Sequence, residues 1–261
     1  MILFMRRIKH PKKIVKTTCS LKTEEGDIPF ELSRSSARRT LTISIDEKAE
    51  VRVSSPFRMK EKEINDFINE KARWIVEKVN EAQKNKAILD RKNFDHGNQF
   101  LFLGKKYTLS IFERNIKRGH VSFNALEGWF VTVPQKLSSK ERRIKVKGKM
   151  LQWYRTQAKE VLGGRIFHYS RLMGVEPKKI AVRTQRRLWG CCDYNKQTIH
   201  LNWQIILSPI NVVDYVVIHE LCHLTIPNHS KRFWKKVEKY MPDFKKYKQW
   251  LTVNHLDMVL P

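Results

Sequence analysis

Acidic residues are scarce in this chain: 26 Asp and Glu stand against 52 Lys and Arg, a formal charge of +26. The excess is spread along the chain rather than gathered in one tail. Such a field favours polyanions, which include nucleic acid, nucleotides, acidic proteins and an anionic membrane surface, although a solvated lysine-rich surface gives the same count. Cysteine is also sparse. Cys19, Cys191, Cys192 and Cys222 are too few and too irregularly spaced for a disulfide framework in 261 residues, which fits a reducing, cytoplasmic location. Long apolar runs are missing as well. No stretch approaches the roughly 20 apolar residues of a membrane span, and the apolar opening Met1 to Met5 is followed at once by Arg6 and Arg7, the wrong order for a signal peptide. No membrane partner is expected, and nothing in the sequence signals an oligomeric state.

What is present suffices for a folded protein. Hydrophobic residues make up 41% and charged residues 30%, enough for one substantial core or for a catalytic domain with a smaller companion.

The chemistry is concentrated in Asp214 to Trp234, DYVVIHELCHLTIPNHSKRFW, centred on His219-Glu220-Leu221-Cys222-His223. Residues four apart on a helix lie about 40° from overlapping at roughly 100° per residue, so both imidazoles face one side and can grip one ion. Glu220 stands between them, near the ion without being needed as a ligand, where a carboxylate can take a proton from water. Pro227 is expected to end the helix, so the chain can fold back and bring His229 as a third imidazole. Three neutral nitrogen ligands with a fourth position open is the plan of a catalytic zinc site, whereas structural sites are closed and rich in thiolate. Cys222 could be imagined as a ligand or redox group, against its plain reading as a small buried apolar residue.

Around this centre the pattern reads as α+β with a β-rich N-terminal half. Residues 1 to about 27 form a loose extension or an edge strand. Leu41, Ile43 and Ile45, then Val51 and Val53, alternate as a hairpin, and Lys60 to Ala82 has helical spacing with Trp74 in its core stripe. Further hairpins are expected around Gly104 and around Glu127-Gly128. Ser138 or Ser139 can cap a long helix, broken or frayed near Gly148 and bent or closely packed at Gly163-Gly164, which Gly174 ends. A strand begins at Ile180, another spans Thr198 to Ile206, and Ser208-Pro209 reads as N-cap and first position of the motif helix. Ser230 and Asp243 can cap two last helices. The expected division is a β-rich region over 28–135 with one helix, and a catalytic domain over 136–261.

The run WGCC…HLNWQIILSP…VVDYVVIHELCHL…NHSKRFW…PDFKKYKQWL, with SARRTLTISI and the FLG-x-x-Y-x-L segment at Leu101 to Leu109, resembles the YgjP-like metallopeptidase family, related to WLM and SprT-like zinc proteases. The resemblance implies a minimal zincin-like fold, Zn2+ on His219, His223 and His229, and Glu220 as general base. The family usually reads Arg-Trp-Gly-Ser-Cys where this chain has Leu188-Trp189-Gly190-Cys191-Cys192. The spacing of His223 and His229 matches metzincins, but Ile226 replaces their glycine, so the chain is not placed among them.

The expected function is a zinc-dependent metallopeptidase, a hydrolase acting on a peptide or protein substrate with zinc-activated water. A metal-dependent nucleoside triphosphate hydrolase on the same site is the alternative, since its basic surface would hold phosphates, and a basic nucleic-acid-associated binding protein is the third. A strand beside Trp189 could pair with an extended peptide. Tyr194 and His200 are candidate oxyanion donors, set against plain readings as a turn residue and a surface strand residue. Glu238 is a candidate for orienting a ligand histidine.

Overall fold

The computed structural model describes residues 13–46, 48–90, 93–185 and 188–260, with the side chains of 88–90 left aside. The fold is α+β. By mutual contact the chain divides into two compact units, Met1–Arg91 and Lys92–Pro261. The boundary expected at 135/136 therefore falls inside the second unit.

In the first unit, β1 (Ile14–Thr23) and β2 (Gly26–Ser35) form an antiparallel hairpin, β2 runs parallel to β4 (Val51–Pro56), and β3 (Thr42–Ile45) lies antiparallel to β4. The sheet order is β1-β2-β4-β3, so β1 is an edge strand, one of the two readings its sequence allowed. Ile43 sits opposite Val53, as the alternation implied. The helical stretch after it is two helices, α1 (Glu61–Glu70) and α2 (Ala72–Asp90), parted at Lys71. Ile64, Ile68, Ile75 and Val79 join Phe30, Leu32, Val51 and Val53 in this unit's core. Trp74, expected in that stripe, is 42% exposed, because it stands about 100° around the helix from Ile75.

The second unit opens with β5 (Gln99–Phe102), β6 (Lys105–Arg114), β7 (His120–Asn124) and β8 (Gly128–Pro134), ordered β5-β6-β8-β7. Their inner faces carry Phe102, Phe123 and Trp129, which pack edge-on or tilted against Trp153 of α3 (Ser139–Met173) at ring separations of 5.0 to 5.4 Å. This aromatic layer ties the hairpins to the helical part, which is why the contacts group them with it. Ser138 caps α3 in a capping box with Glu141, as its sequence signalled. The helix then runs unbroken for 35 residues through Gly148, Gly163 and Gly164. A Cβ at any of these three glycines would meet nothing within 4 Å, so neither a break nor close packing explains them. Gly174 ends the helix in the left-handed conformation at φ +62°, which favours glycine.

A three-stranded sheet follows, ordered β10 (Gly190–Asp193), β11 (Thr198–Asn202), β9 (Lys179–Arg183), with β10 antiparallel and β9 parallel to β11. The strand expected to reach Ile206 stops at Asn202, whose side chain accepts from the Gln204 amide and turns Trp203–Leu207 into a 3-10 helix. Ser208 closes that turn by donating to the Ile205 carbonyl at 2.7 Å. It is thus not the cap of the next helix, α4 (Ile210–His223), whose N-cap position is Pro209. Residues 212–218 and 220–222 of α4 are buried, which makes it the central helix of this unit. Arg165 of α3 grips Asp214 at the start of α4 with two hydrogen bonds of 2.5 and 2.8 Å. Two more helices, α5 (Lys231–Tyr240) and α6 (Phe244–Asn254), pack on α4 and complete the surroundings of the motif. No helix among the described residues is long and apolar enough to cross a membrane.

Candidate metal centre

His219 and His223 project from one face of the last turn of α4, as four-residue spacing requires. The helix ends at His223, before the proline that was expected to stop it, and Leu224 and Thr225 make the turn. His229 returns from beyond that turn. The three Nε2 atoms converge, with His219 to His223 at 3.2 Å, His223 to His229 at 3.1 Å and His219 to His229 at 3.0 Å. The sequence-predicted ligand set is therefore gathered in one place. Among the described residues, these three form the group of side chains able to hold a metal ion.

Protonation favours the same use. The Nδ1 of His223 lies 3.0 Å from the Ile226 carbonyl. A carbonyl can only accept, so in the neutral ring Nδ1 carries the hydrogen and Nε2 turns a lone pair toward its neighbours. Burial, with the neighbouring His223 and His229, pushes His219 down to about 3, so it stays neutral across the physiological range. Burial likewise lowers His223. Three mutually close ring nitrogens cannot all satisfy one another by hydrogen bonding, because neutral nitrogens that each accept leave no donor between them. A cation resolves that conflict.

The cluster is backed by aromatic rings from α5. Phe233 is fully buried and lies 4.9, 4.4 and 4.8 Å from His219, His223 and His229. Trp234 stacks on His229 at 5.6 Å and 21°. Both fall in the NHSKRFW run of the sequence, four and five positions after His229. Glu238, considered for orienting a histidine, is exposed and makes no hydrogen bond to a histidine among the described residues.

Glu220 is 4% exposed and its Oε2 is buried without a partner. Burial pushes this carboxyl up to about 8. A cation at the adjacent histidines would act against that shift and favour the carboxylate. Opposite it stands Gly190 at the start of β10, where a Cβ would come within 2.7 Å of Glu220 Cγ and Oε1. Only glycine leaves room for the carboxylate in this position. Trp189, Gly190, Tyr215, His219 and Glu220 line one part of a cleft of about 610 Å³. Tyr194 is exposed in the β10–β11 turn, and neither it nor His200, half-buried on β11, lines that cleft. Cys222 is fully buried, and burial pushes its thiol up to about 12, in keeping with its reading as a small core residue.

The YgjP-like, metallopeptidase domain pattern matches residues 39–254. The chain belongs to the YgjP-like metallopeptidase family. Its metallopeptidase character and the need for a metal ion come with that membership, and the histidine cluster supplies the residues that could hold one. Among solved structures, one described as the "metallopeptidase zymogen of Pyrococcus abyssi abylysin" is similar at 24% identity, over 38% of this chain and 99% of that one, with a TM-score of 0.34. Comparison with curated proteins gave no match.

Proposed function

We propose that this metallopeptidase uses zinc held by His219, His223 and His229, with Glu220 as general base. The observation that carries the reading is the convergence of three Nε2 atoms within 3.2 Å beside a buried, unpartnered carboxylate. The donor set would fit zinc: three imidazoles with no thiolate among them, their Nε2 atoms within 3.2 Å of one another. Zinc bound there supplies a Lewis acid that lowers the pKa of water toward about 7 and polarises a peptide carbonyl.

The chain's own residues do the rest. Glu220 accepts a proton from the attacking water as its oxygen adds to the scissile carbonyl carbon, then delivers that proton to the amine as the C–N bond breaks. Its confinement between α4 and Gly190 keeps the carboxylate in one orientation. The β10 strand forms the edge of its sheet and adjoins Glu220 through Gly190, so an extended substrate can add to it by main-chain hydrogen bonds. All four cysteines are unpaired, which supports a reducing, cytoplasmic location.

Replacing Glu220 by Gln tests the mechanism. Peptide hydrolysis is expected to fall by about 10²–10⁴-fold, the usual range for losing a general base, while metal content stays unchanged. Retained turnover would refute the role of Glu220. Consumption of nucleoside triphosphates in place of peptides would instead favour phosphoanhydride hydrolysis at the same residues.

A further inference from the structure

Beyond Glu220 the cleft is walled by α6. Lys248, Leu251 and Thr252 of this helix, and His255 at its C-cap, all line it. Positions 248, 251, 252 and 255 follow the i, i+3, i+4, i+7 spacing that places side chains on one helix face. Leu188, Trp189 and Val216 line the cleft as well. Glu220 is the one carboxylate among the described lining residues, and it belongs to the reacting centre.

Among the described residues lining this part of the cleft, Lys248 is therefore a cation beside apolar and neutral side chains. Among the described residues it forms no ion pair. Its ammonium lies 4.6 Å above the Trp234 ring, and that ring is itself stacked on Phe244 at 5.2 Å and on His229 at 5.6 Å. The contact places the charge against the aromatic layer that backs the metal cluster. A lysine serving only solubility has no need of a seat facing the reacting centre.

We propose that this end of the cleft selects a substrate carboxylate carried on an apolar stem, which Lys248 reads while Leu251 and Val216 contact the stem. The inference rests on the peptidase reading and adds the substrate class to it. The carboxylate can come from an Asp or Glu side chain beside the scissile bond or from the free end of the peptide.

The test uses fluorescent alanine-based decapeptides in which Glu, Gln or Lys is walked through each position, with the C-terminus free or amidated. Binding is measured by anisotropy on the zinc-loaded full chain carrying Glu220→Gln, and cleavage on the chain with Glu220 intact. At one position Glu is expected to bind about five-fold more tightly than Gln, the upper range for a partly exposed ion pair, with Lys weaker still. Lys248→Gln should abolish this preference and Lys248→Glu should invert it. A free peptide that binds more tightly than its amidated form whichever residue is walked, with the difference lost in Lys248→Gln, assigns the carboxylate to the chain end and counts as the acid preference; a Glu-over-Gln preference that survives amidation assigns it to a side chain. Absence of any acid preference, or a preference unchanged in Lys248→Glu, would overturn the inference. The two readings separate cleanly: cleavage without acid preference sinks this inference alone, whereas Lys248-dependent binding without cleavage sinks the peptidase reading alone.

Discussion

Replacing Gly190 by Ala adds one methyl group at the point where β10 meets Glu220, the proposed general base. The new Cβ would stand 2.7 Å from Glu220 Cγ and Oε1 and 2.9 Å from Cδ. Ordinary carbon contacts begin near 3.4 Å, so something must give by about 0.7 Å. Gly190 lies in the regular ladder of β10, opposite Leu201, which is fully buried and holds the strand in place. The Glu220 side chain is the softer partner, and its carboxylate must swing. Misplacing a reacting group by about 1 Å costs on the order of 10²-fold in rate, equivalent to about 2.7 kcal/mol of activation free energy. Overpacking itself costs about 1–3 kcal/mol of stability. The three atoms nearest the added Cβ all belong to Glu220 rather than to a histidine, so metal binding is expected to persist. The assay compares kcat/KM on a quenched peptide library, thermal unfolding and metal content in parallel. A variant that folds, keeps its metal and retains activity within about three-fold would refute the claim that Gly190 fixes the base.

Removing the Arg165 side chain leaves the Asp214 carboxylate, 6% exposed, without its bidentate partner. Arg165→Ala is expected to destabilise by about 3 kcal/mol, the low end for a broken buried pair because Arg165 itself is 31% exposed; a melting temperature unchanged within about 2 °C would contradict this. Burial, aided by Glu220, pushes the Cys192 thiol up to about 12. The folded thiol then holds its proton where an unfolded one near 9 loses it, so Cys192 contributes a stability term that falls as pH rises from 9 to 12. Iodoacetamide labelling at pH 8, followed by peptide mapping, should accordingly modify Cys192 at least about 100-fold more slowly in the folded chain than in urea; equal rates would sink the argument.

Much of the site was legible because helical periodicity is local. His219 and His223 share a face by spacing alone, and His229 needed only a turn within six residues, which Leu224 and Thr225 provide. The helix tightens after His223 through Leu224 and Thr225, and its last i→i−4 bond, from the Ile226 amide to the Cys222 carbonyl, comes just before Pro227, which has no N–H to continue it. Ser208 illustrates a limit. Its sequence context suits an N-cap, yet the hydroxyl is taken by the Ile205 carbonyl, a competition set by the 3-10 helix before it. Gly190 and Glu220 are 30 positions apart, and only the packing of β10 on α4 brings them together. Lys248 was equally silent in the sequence, one lysine among many on basic helices, until α6 turned it toward the cleft. The aromatic layer between the hairpins and α3 likewise joined two segments that composition alone had assigned to different regions.

The central claim is that three histidines hold one zinc ion beside Glu220, and elemental mass spectrometry of the purified chain tests it most directly. The account predicts about one zinc per native chain and a steep loss in His229→Ala, because two remaining imidazoles make a poor site. A native chain that takes up no zinc when offered it, or a His229→Ala variant that keeps it in full, would contradict the account.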